Sequence, residues 1–175
     1  MRYLVVSDIH GSYDSAEHIK RLFEEEKCDK IICLGDVLYH GPRNDLPENY
    51  GPKKVIPILN ELADKIICVK GNCDAEVDQM VLKFKIHDDY NLDFNNTHYY
   101  LVHGHHLSFD ETDMMEKGSV VLYGHYHIPS KKIFNEVSYF NVGSITLPKE
   151  NSPRSYGILD ENGIILKSLD GKIIM

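Results

Sequence analysis

The sequence lacks any apolar run long enough to span a bilayer, and it does not begin with a basic stretch followed by an apolar one. We therefore expect a cytoplasmic protein without a membrane segment. Basic residues are also scarce: 19 Lys and Arg stand against 27 Asp and Glu, a formal net charge of -8. Proteins that bind long DNA or RNA normally carry a basic surface, so the composition argues against a nucleic-acid partner. Repeats and low-complexity tracts are absent too, and 175 residues suit a single domain over 1–175.

None of the four cysteines has the Cys-x-x-Cys spacing of metal or redox motifs. Cys33 and Cys68 lie inside apolar runs that resemble strands, and reduced thiols are typical of the cytosol. We expect Cys28, Cys33 and Cys68 to be small core residues.

The first half of the chain alternates strand and helix patterns. Apolar runs at 3–6, 30–34 and 65–69 predict strands, and helical spacing of apolar residues predicts helices at 15–26 and 52–63. Continuous apolar runs separated by helices are typical of a parallel sheet that is buried on both faces. The first half is predicted to be βαβαβ.

The second half contains short strand patterns and turn residues. The predicted strands are 98–103, 119–125, 131–134, 137–142, 155–159 and 163–169, with hairpin turns near 135–136 and 161–163 and a helix near 110–117. A parallel first half and a hairpin-rich second half predict an α/β (α+β) fold in which two sheets pack face to face, with helices outside.

Polar and titratable side chains follow the ends of five predicted strands, usually beside a glycine. They are Asp8, His10, Asp36, Asn72, His103, His125 and His127. Loops at the carboxyl edge of an open sheet converge above the strands, so this edge is where a site is expected.

The spacing and chemistry of these residues favour a metal site. Residues at i and i+2 of extended chain point the same way, which would pair Asp8 with His10 and His125 with His127. Imidazole nitrogens and carboxylate oxygens without thiolates suit Mn²⁺, Fe²⁺ or Zn²⁺. Seven ligands are too many for one ion with an open position, but they suit two ions about 3.5–4 Å apart that share a carboxylate.

Each motif alone is common in loops and turns, but their order is informative. The series D-x-H, G-D, G-N-x-D, H-G-H and G-H-x-H resembles the calcineurin-like metallophosphoesterases. Five longer stretches, at 7–12, 34–50, 71–80, 123–129 and 144–160, resemble the small bacterial YfcE-type phosphodiesterases, and the resemblance covers nearly the whole chain. It implies an αββα sandwich and a metal-dependent phosphodiesterase, with a homo-oligomer as a possible assembly.

The resemblance also implies a ligand set for two divalent ions, with manganese first and zinc, iron, nickel or magnesium as alternatives. One ion would be held by Asp8, His10, Asp36 and His127. The other would be held by Asp36, Asn72, His103 and His125. Asp36 would bridge the ions, and a bridging hydroxide would attack the phosphorus of a small phosphodiester.

Three further residues are candidates near this site. Arg43 is either a bidentate phosphate ligand or an exposed loop arginine, and both readings stay open. His40 precedes a glycine in the same loop and could touch substrate. His105 would lie on the same side of the chain as His103 and would support this ligand without itself binding metal.

The stretch VKGNCD at 69–74 supplies two more candidates. Asp74 could orient a neighbouring imidazole or the Asn72 amide. Cys73 stands where many larger members of the resembled family carry a histidine that protonates the leaving group. A thiol, with an unperturbed pKa of about 8.5, is a poorer acid for that role near neutral pH.

Other functions remain open at this stage. A phosphomonoesterase or cyclic-nucleotide phosphodiesterase would use the same metals. A non-catalytic scaffold is a third reading, because the retromer subunit of eukaryotes shares the implied fold but departs at the first-motif histidine. His10 is present here, which favours catalysis. A nuclease is disfavoured by the acidity of the chain.

Overall fold

The structure is a computed structural model that describes residues 1–108 and 115–175. In chain order the elements are β1 (Tyr3–Val6), α1 (Tyr13–Glu25), β2 (Lys30–Cys33), α2 (Pro52–Glu61), β3 (Ile66–Val69), α3 (Asp78–Val81), β4 (Ile86–His87), β5 (Tyr90–Phe94), β6 (Thr97–Leu101), β7 (Val120–Tyr123), β8 (Ser130–Phe134), β9 (Val137–Asn141), β10 (Ser155–Asp160) and β11 (Gly163–Ser168).

The first sheet has the strand order β11-β10-β1-β2-β3-β4. Strands β1 to β4 are parallel neighbours, which confirms the predicted βαβαβ unit. Strand β10 pairs with β1 in the antiparallel direction, and β11 pairs with β10. The β10–β11 hairpin of the second half therefore extends the first sheet, an assignment that the sequence analysis did not make.

The second sheet has the order β5-β6-β7-β9-β8. The pairs β5–β6 and β8–β9 are antiparallel hairpins, but β6–β7 and β7–β9 are parallel. Strand β5 was missed by the sequence analysis. Its apolar residues Tyr90, Leu92 and Phe94 face the core, whereas Asn91 and Asp93 are exposed, so its pattern is less apolar than that of the other strands.

Helices α1 and α2 cover one face of the first sheet. Ser12 accepts a hydrogen bond from the Ser15 amide and caps α1, and Pro52 stands at the start of α2, where a missing N–H costs nothing. Ile19 and Leu59 of these helices pack with Leu4 of β1 in one buried cluster.

The alternation of side chains along β1 separates two layers of core. Leu4 and Val6 face the helices, whereas Tyr3 and Val5 pack with residues of the second sheet such as Leu101. The two sheets therefore lie face to face, as predicted. All four cysteines are free, and Cys28, Cys33 and Cys68 are buried, also as predicted.

Two other expectations concern the rest of the chain. The predicted helix near 110–117 overlaps residues 109–114, which lie outside the described part of the chain. Among the described residues, no helix is both long and apolar enough to cross a membrane.

Candidate metal centre

The seven predicted ligands meet at the carboxyl edge of the strands, but the local backbone differs from the expected one. Five of them have left-handed dihedrals: φ is 58° at Asp8, 49° at His10, 56° at Asp36, 66° at His125 and 60° at His127. The extended-chain argument for pairing residues i and i+2 was therefore wrong. Non-glycine residues adopt this conformation at a cost of about 1–2 kcal/mol each, and they persist where the surrounding structure holds them.

One group of ligand atoms is fully enclosed. His127 Nε2 lies 3.2 Å from Asp8 Oδ1, and His10 Nε2 lies 3.6 Å from the same oxygen. The two imidazole Nε2 atoms are 3.2 Å apart. His127 thus joins the Asp8–His10 motif from the other end of the chain.

Each buried histidine is fixed by a backbone carbonyl. Nδ1 of His10 lies 2.8 Å from the Tyr39 carbonyl oxygen, and Nδ1 of His127 lies 2.5 Å from that of Leu147. His103 Nδ1 is 2.6 Å from the carbonyl oxygen of Leu34. Since Nδ1 must carry the donated proton, the neutral rings turn the lone pair of Nε2 to the centre, as metal-bound histidines do.

These atoms fit a cation. Asp8 Oδ1 is buried and receives no well-formed hydrogen bond from the described residues. The Nε2 lone pairs of His10 and His127 face each other across 3.2 Å, an arrangement that a shared positive charge stabilises. The residues present therefore fit a divalent metal ion.

A second group of ligand atoms adjoins the first through Asp36. Its Oδ2 lies 3.3 Å from His103 Nε2 and 3.7 Å from His10 Nε2. Asn72 Oδ1 is 3.1 Å from His103 Nε2, and the His125 ring centroid is 5.1 Å from that of His103. The ring of His125 therefore lies beside that of His103, and both His125 and His127 line the adjacent cavity.

The charges in the centre perturb one another. Burial would raise the pKa of Asp8 and Asp36, but the neighbouring imidazoles hold the pKa of both below the usual carboxyl value. Burial would likewise lower the pKa of His103, yet its hydrogen bond to Asp36 and the nearby carboxylates raise it to about 9. For His125, burial and the charge of His103 lower the pKa to about 4. Without metal, protons shared with histidines offset the negative charge of the carboxylates.

Two glycines allow the ligand loops to approach this closely. A Cβ on Gly71 would lie 2.1 Å from Asp36 Oδ1, and one on Gly124 would lie 2.6 Å from Asp8 Oδ2. A side chain at either position would displace a carboxylate of the centre.

Asp74 has a different role from the predicted one. Its carboxylate accepts the backbone N–H groups of Asp36 at 2.8 Å, Val37 at 2.7 Å and Gly71 at 2.7 Å. The prediction that it orients an imidazole or the Asn72 amide is therefore wrong. Asp74 instead joins the loop after β2 to the loop after β3, and so sets the position of Asp36 relative to Asn72.

A cavity of about 400 Å³ opens beside the centre. It is lined by His10, Asp36, Tyr39, Gly41, Pro42, Arg43, Asn44, Asn72, Cys73, Asp74, Ala75, His125, His127 and Lys149. Arg43 is exposed and lines the cavity, which is compatible with both of its predicted readings. His40 does not line it; its ring packs between those of Tyr39 and Tyr50, so the expected substrate contact is not supported.

Cys73 and His105 flank the centre. The Cys73 amide donates to Asp36 Oδ1 at 2.8 Å, and burial together with the Asp36 charge raises the pKa of the thiol to about 12. The ring of the exposed His105 has its centroid 5.5 Å from that of His103 and 3.9 Å from that of His106, to which it is tilted. It stands at the rim beside His103.

Sequence reasoning assigned no role to Lys149 or Tyr39. Neither belongs to a metal motif, and their place in the cavity depends on loops that are distant in sequence. The available sequence signal was that Tyr39 and Lys149 fall in the stretches 34–50 and 144–160, which resemble the YfcE-type proteins.

Known proteins resemble this chain over its whole length. Phosphodiesterase YfcE of Escherichia coli (strain K12) is 40% identical over 176 residues, covering 100% of this chain and 96% of YfcE. Probable metallophosphoesterase YsnB of Bacillus subtilis (strain 168) is 30% identical over 166 residues, covering 91% of this chain and 83% of YsnB.

Solved structures give the same result for the fold. A structure of YfcE, a phosphoesterase from E. coli, superposes with a TM-score of 0.95 at 41% identity, covering 100% of this chain and 97% of that one. Vps29 from Entamoeba histolytica, complexed with Zn²⁺, gives a TM-score of 0.65 at 21% identity, covering 99% of this chain and 96% of that one, and shares the fold. The calcineurin-like phosphoesterase superfamily domain matches residues 1–163, and the chain belongs to that superfamily.

Proposed function

We propose that this protein is a metal-dependent phosphodiesterase that hydrolyses small phosphodiesters with the help of two divalent ions. The observation that carries the proposal is the convergence of buried carboxylates and carbonyl-fixed histidines beside an open cavity of about 400 Å³. The 40% identity to phosphodiesterase YfcE over the full chain supports the same reaction. Hydrolysis adds water across one P–O ester bond and yields a phosphomonoester and an alcohol or phenol.

The two groups of candidate ligands support a proposal with two ion positions. Asp8, His10 and His127 would hold one ion, and Asn72, His103 and His125 the other, with Asp36 between them. Divalent ions, with Mn²⁺ first and zinc, iron, nickel or magnesium as alternatives, would supply charge that offsets the phosphate and lowers the pKa of water.

The protein itself binds and orients. Arg43 lines the cavity, where its guanidinium can donate two parallel N–H groups to anionic oxygens of a bound substrate. Asp74 fixes the relative position of the loops that carry Asp36 and Asn72 through its three hydrogen bonds to backbone N–H groups. Cys73 does not act as a nucleophile, because with a pKa of about 12 its thiol stays protonated near neutral pH.

A phosphomonoesterase is the second candidate. The cavity contains two cationic side chains, Arg43 and Lys149, which would also suit the dianion of a monoester. A cyclic-nucleotide phosphodiesterase would use the same centre. The non-catalytic scaffold is disfavoured by the presence of His10, whose ring lies inside the first ligand group.

The wider proposal covers the setting of the reaction. We place the protein in the cytoplasm as a single domain over 1–175, acting on small molecules and not on nucleic acid, and the net charge of -8 supports the last point. Assembly into a homo-oligomer is also part of the proposal.

The test is metal reconstitution. Protein stripped with a chelator should be inactive and should regain hydrolysis of a bis-aryl phosphate when Mn²⁺ is added, faster than of the mono-aryl phosphate. A faster monoester would favour the second candidate. Absence of turnover with Mn²⁺, Zn²⁺, Fe²⁺, Ni²⁺ and Mg²⁺ would contradict the enzymatic function.

A further inference from the structure

Two cationic side chains of the cavity form no ion pair with any described residue. Arg43 and Lys149 come from different loops and both line the cavity. Within residues 1–108 and 115–175, neither forms an ion pair, whereas Arg2 and Lys167 both pair with Glu26. Unpaired cations that line a cavity beside a metal centre can bind an anionic ligand.

The backbone of Lys149 is tied to the metal centre. Its amide donates to the carbonyl oxygen of His127 at 3.2 Å, and the Leu147 carbonyl holds His127 Nδ1 at 2.5 Å. Ser152 donates to the Lys149 carbonyl oxygen through its amide at 3.0 Å and its hydroxyl at 2.6 Å. The base of this side chain is therefore held at a defined place relative to a predicted ligand, unlike that of an ordinary surface lysine.

A neighbouring cavity that also reaches Asn72 has different charges. This second cavity of about 530 Å³ is lined by Lys70, Asp88, His105 and His106, together with Asn72. The Asp88 carboxylate would repel an anion in this cavity. Asp74 lines both cavities and Asp36 lines the first, but the first has two cationic side chains, Arg43 and Lys149, and the second has only Lys70. The two cavities would therefore differ in their affinity for an anionic arm of a diester.

The charge balance points to a particular substrate. A simple phosphodiester has one negative charge, which the metal ions at the centre would already offset. Arg43 and Lys149 then add two positive charges that such a substrate leaves unmatched, in a protein whose net charge is -8. A second anionic group on one arm would match them.

We propose that Arg43 and Lys149 form an anion subsite that selects phosphodiesters with a second anionic group, such as a phosphate, on one ester arm. The inference rests on the proposed function and extends it to a substrate class. Arg43 would contribute a two-pronged contact and Lys149 a point charge, and neither needs to touch the scissile bond.

The experiment compares two substrates that share the leaving group: thymidine 5′-(p-nitrophenyl phosphate) and the same compound with a 3′-phosphate. With Mn²⁺-loaded protein, the 3′-phosphate should raise kcat/KM by about tenfold, the size of one charge-assisted hydrogen bond, and mainly through KM. Since the contact lies at the surface of the cavity, the preference should shrink as ionic strength rises.

Variants assign the preference to the two cations. Lys149→Gln and Arg43→Gln should each lower the ratio of the two kcat/KM values, and the double variant should bring it close to one. Lys53→Gln removes an exposed lysine of α2 and should keep the ratio. A ratio near one in the unmodified protein, or one that the double variant leaves unchanged, would overturn the inference.

A binding measurement separates this inference from the proposed function. Calorimetry with Mn²⁺-loaded protein should show thymidine 3′,5′-bisphosphate binding about tenfold more tightly than thymidine 5′-phosphate, with the difference reduced in Lys149→Gln and lost in the double variant. If neither ester is hydrolysed, the proposed function fails, and this difference alone decides whether the subsite exists. Equal affinities would then refute the subsite.

Discussion

The two halves of the proposed metal centre differ in how firmly the protein holds their side chains. The buried half consists of Asp8, His10 and His127, and the open half of Asn72, His103 and His125. In the buried half the exposed fractions are 0%, 1% and 2%, and both rings are fixed by backbone carbonyls. In the open half His103 is equally fixed, but Asn72 is exposed and His125 is half-buried beside the cavity.

The difference separates metal binding from substrate binding. Ligands that are already oriented lose little freedom when an ion binds, so the buried half should bind its ion more tightly. The open half leaves ligands where a substrate oxygen can approach. The proposed centre therefore combines a buried half whose ligands are fixed with an open half whose ligands are less constrained, and Asp36 lies between the two.

Removing Asp36 should abolish both halves and have the largest effect. Its Oδ2 lies within reach of His103 and His10, so Asp36→Ala should lose both ions on dialysis and fall to the activity of metal-stripped protein. The metal content after dialysis measures the loss of the ions, and turnover of a bis-aryl phosphate measures the loss of activity. Asp36→Asn, which keeps the shape but not the charge, is the matched control. Full activity in Asp36→Ala would show that the bridging assignment is wrong.

Removing Asp74 should loosen the link between the halves. Asp74→Ala leaves three backbone N–H groups without their acceptor, which should lower the unfolding free energy by about 2–4 kcal/mol and metal affinity by about 10–100-fold. Urea unfolding of metal-free protein and Mn²⁺ titration measure the two effects.

The matched control for Asp74 is Asp78, an equally buried carboxylate whose Oδ2 accepts the Ala75 amide. Asp78→Ala should lower stability by about 1 kcal/mol and leave Mn²⁺ affinity unchanged. Equal effects of both variants on Mn²⁺ affinity would contradict a specific role for Asp74.

The halves should also be separable by titration. Mn²⁺ should bind to metal-free protein in two steps, the first about tenfold tighter than the second. His10→Ala should weaken the tight step, and His125→Ala the weak one. Calorimetry resolves the steps. If both variants weaken the same step, the halves are not independent sites.

The smallest predicted effect concerns the leaving group. With a pKa raised to about 12, Cys73 is a poor proton donor in the open half. Cys73→His should accelerate diesters with poor alkyl leaving groups by about tenfold and leave aryl esters nearly unchanged, because only the former need an acid. Rates for a series of diesters give the slope of log kcat/KM against the pKa of the leaving group. An unchanged slope would argue against a missing general acid.

The sequence predicted which side chains would meet, but not how. Each candidate ligand follows a strand, and parallel strands end at one edge, so convergence followed from the order of motifs. The left-handed backbone at Asp8 and His10 could not be predicted from the order of motifs, because it depends on contacts made only in the fold. The Asp8 amide donates to the Gly35 carbonyl oxygen at 3.1 Å, and the His10 amide donates to that of Asp36 at 2.8 Å.

The same limit applies to the fold and to the supporting residues. Strands β1 to β3 were predictable because they are continuously apolar, whereas β5 alternates with Asn91 and Asp93 and was missed. The partners of Asp74 in the loop of Asp36 lie 37 and 38 residues away, and no local pattern encodes such a contact. Lys149 reaches the cavity in the same non-local way.

The residues with left-handed backbone in the centre lower the stability of the fold, but their side chains are the candidate metal ligands. A glycine at Asp8 or His127 would remove backbone strain of about 1–2 kcal/mol, yet it would also remove a ligand. Selection for thermostability of the metal-free protein would therefore favour glycine where catalysis needs carboxylate or imidazole. A stabilised descendant of this chain that keeps these five residues would have to gain its stability elsewhere.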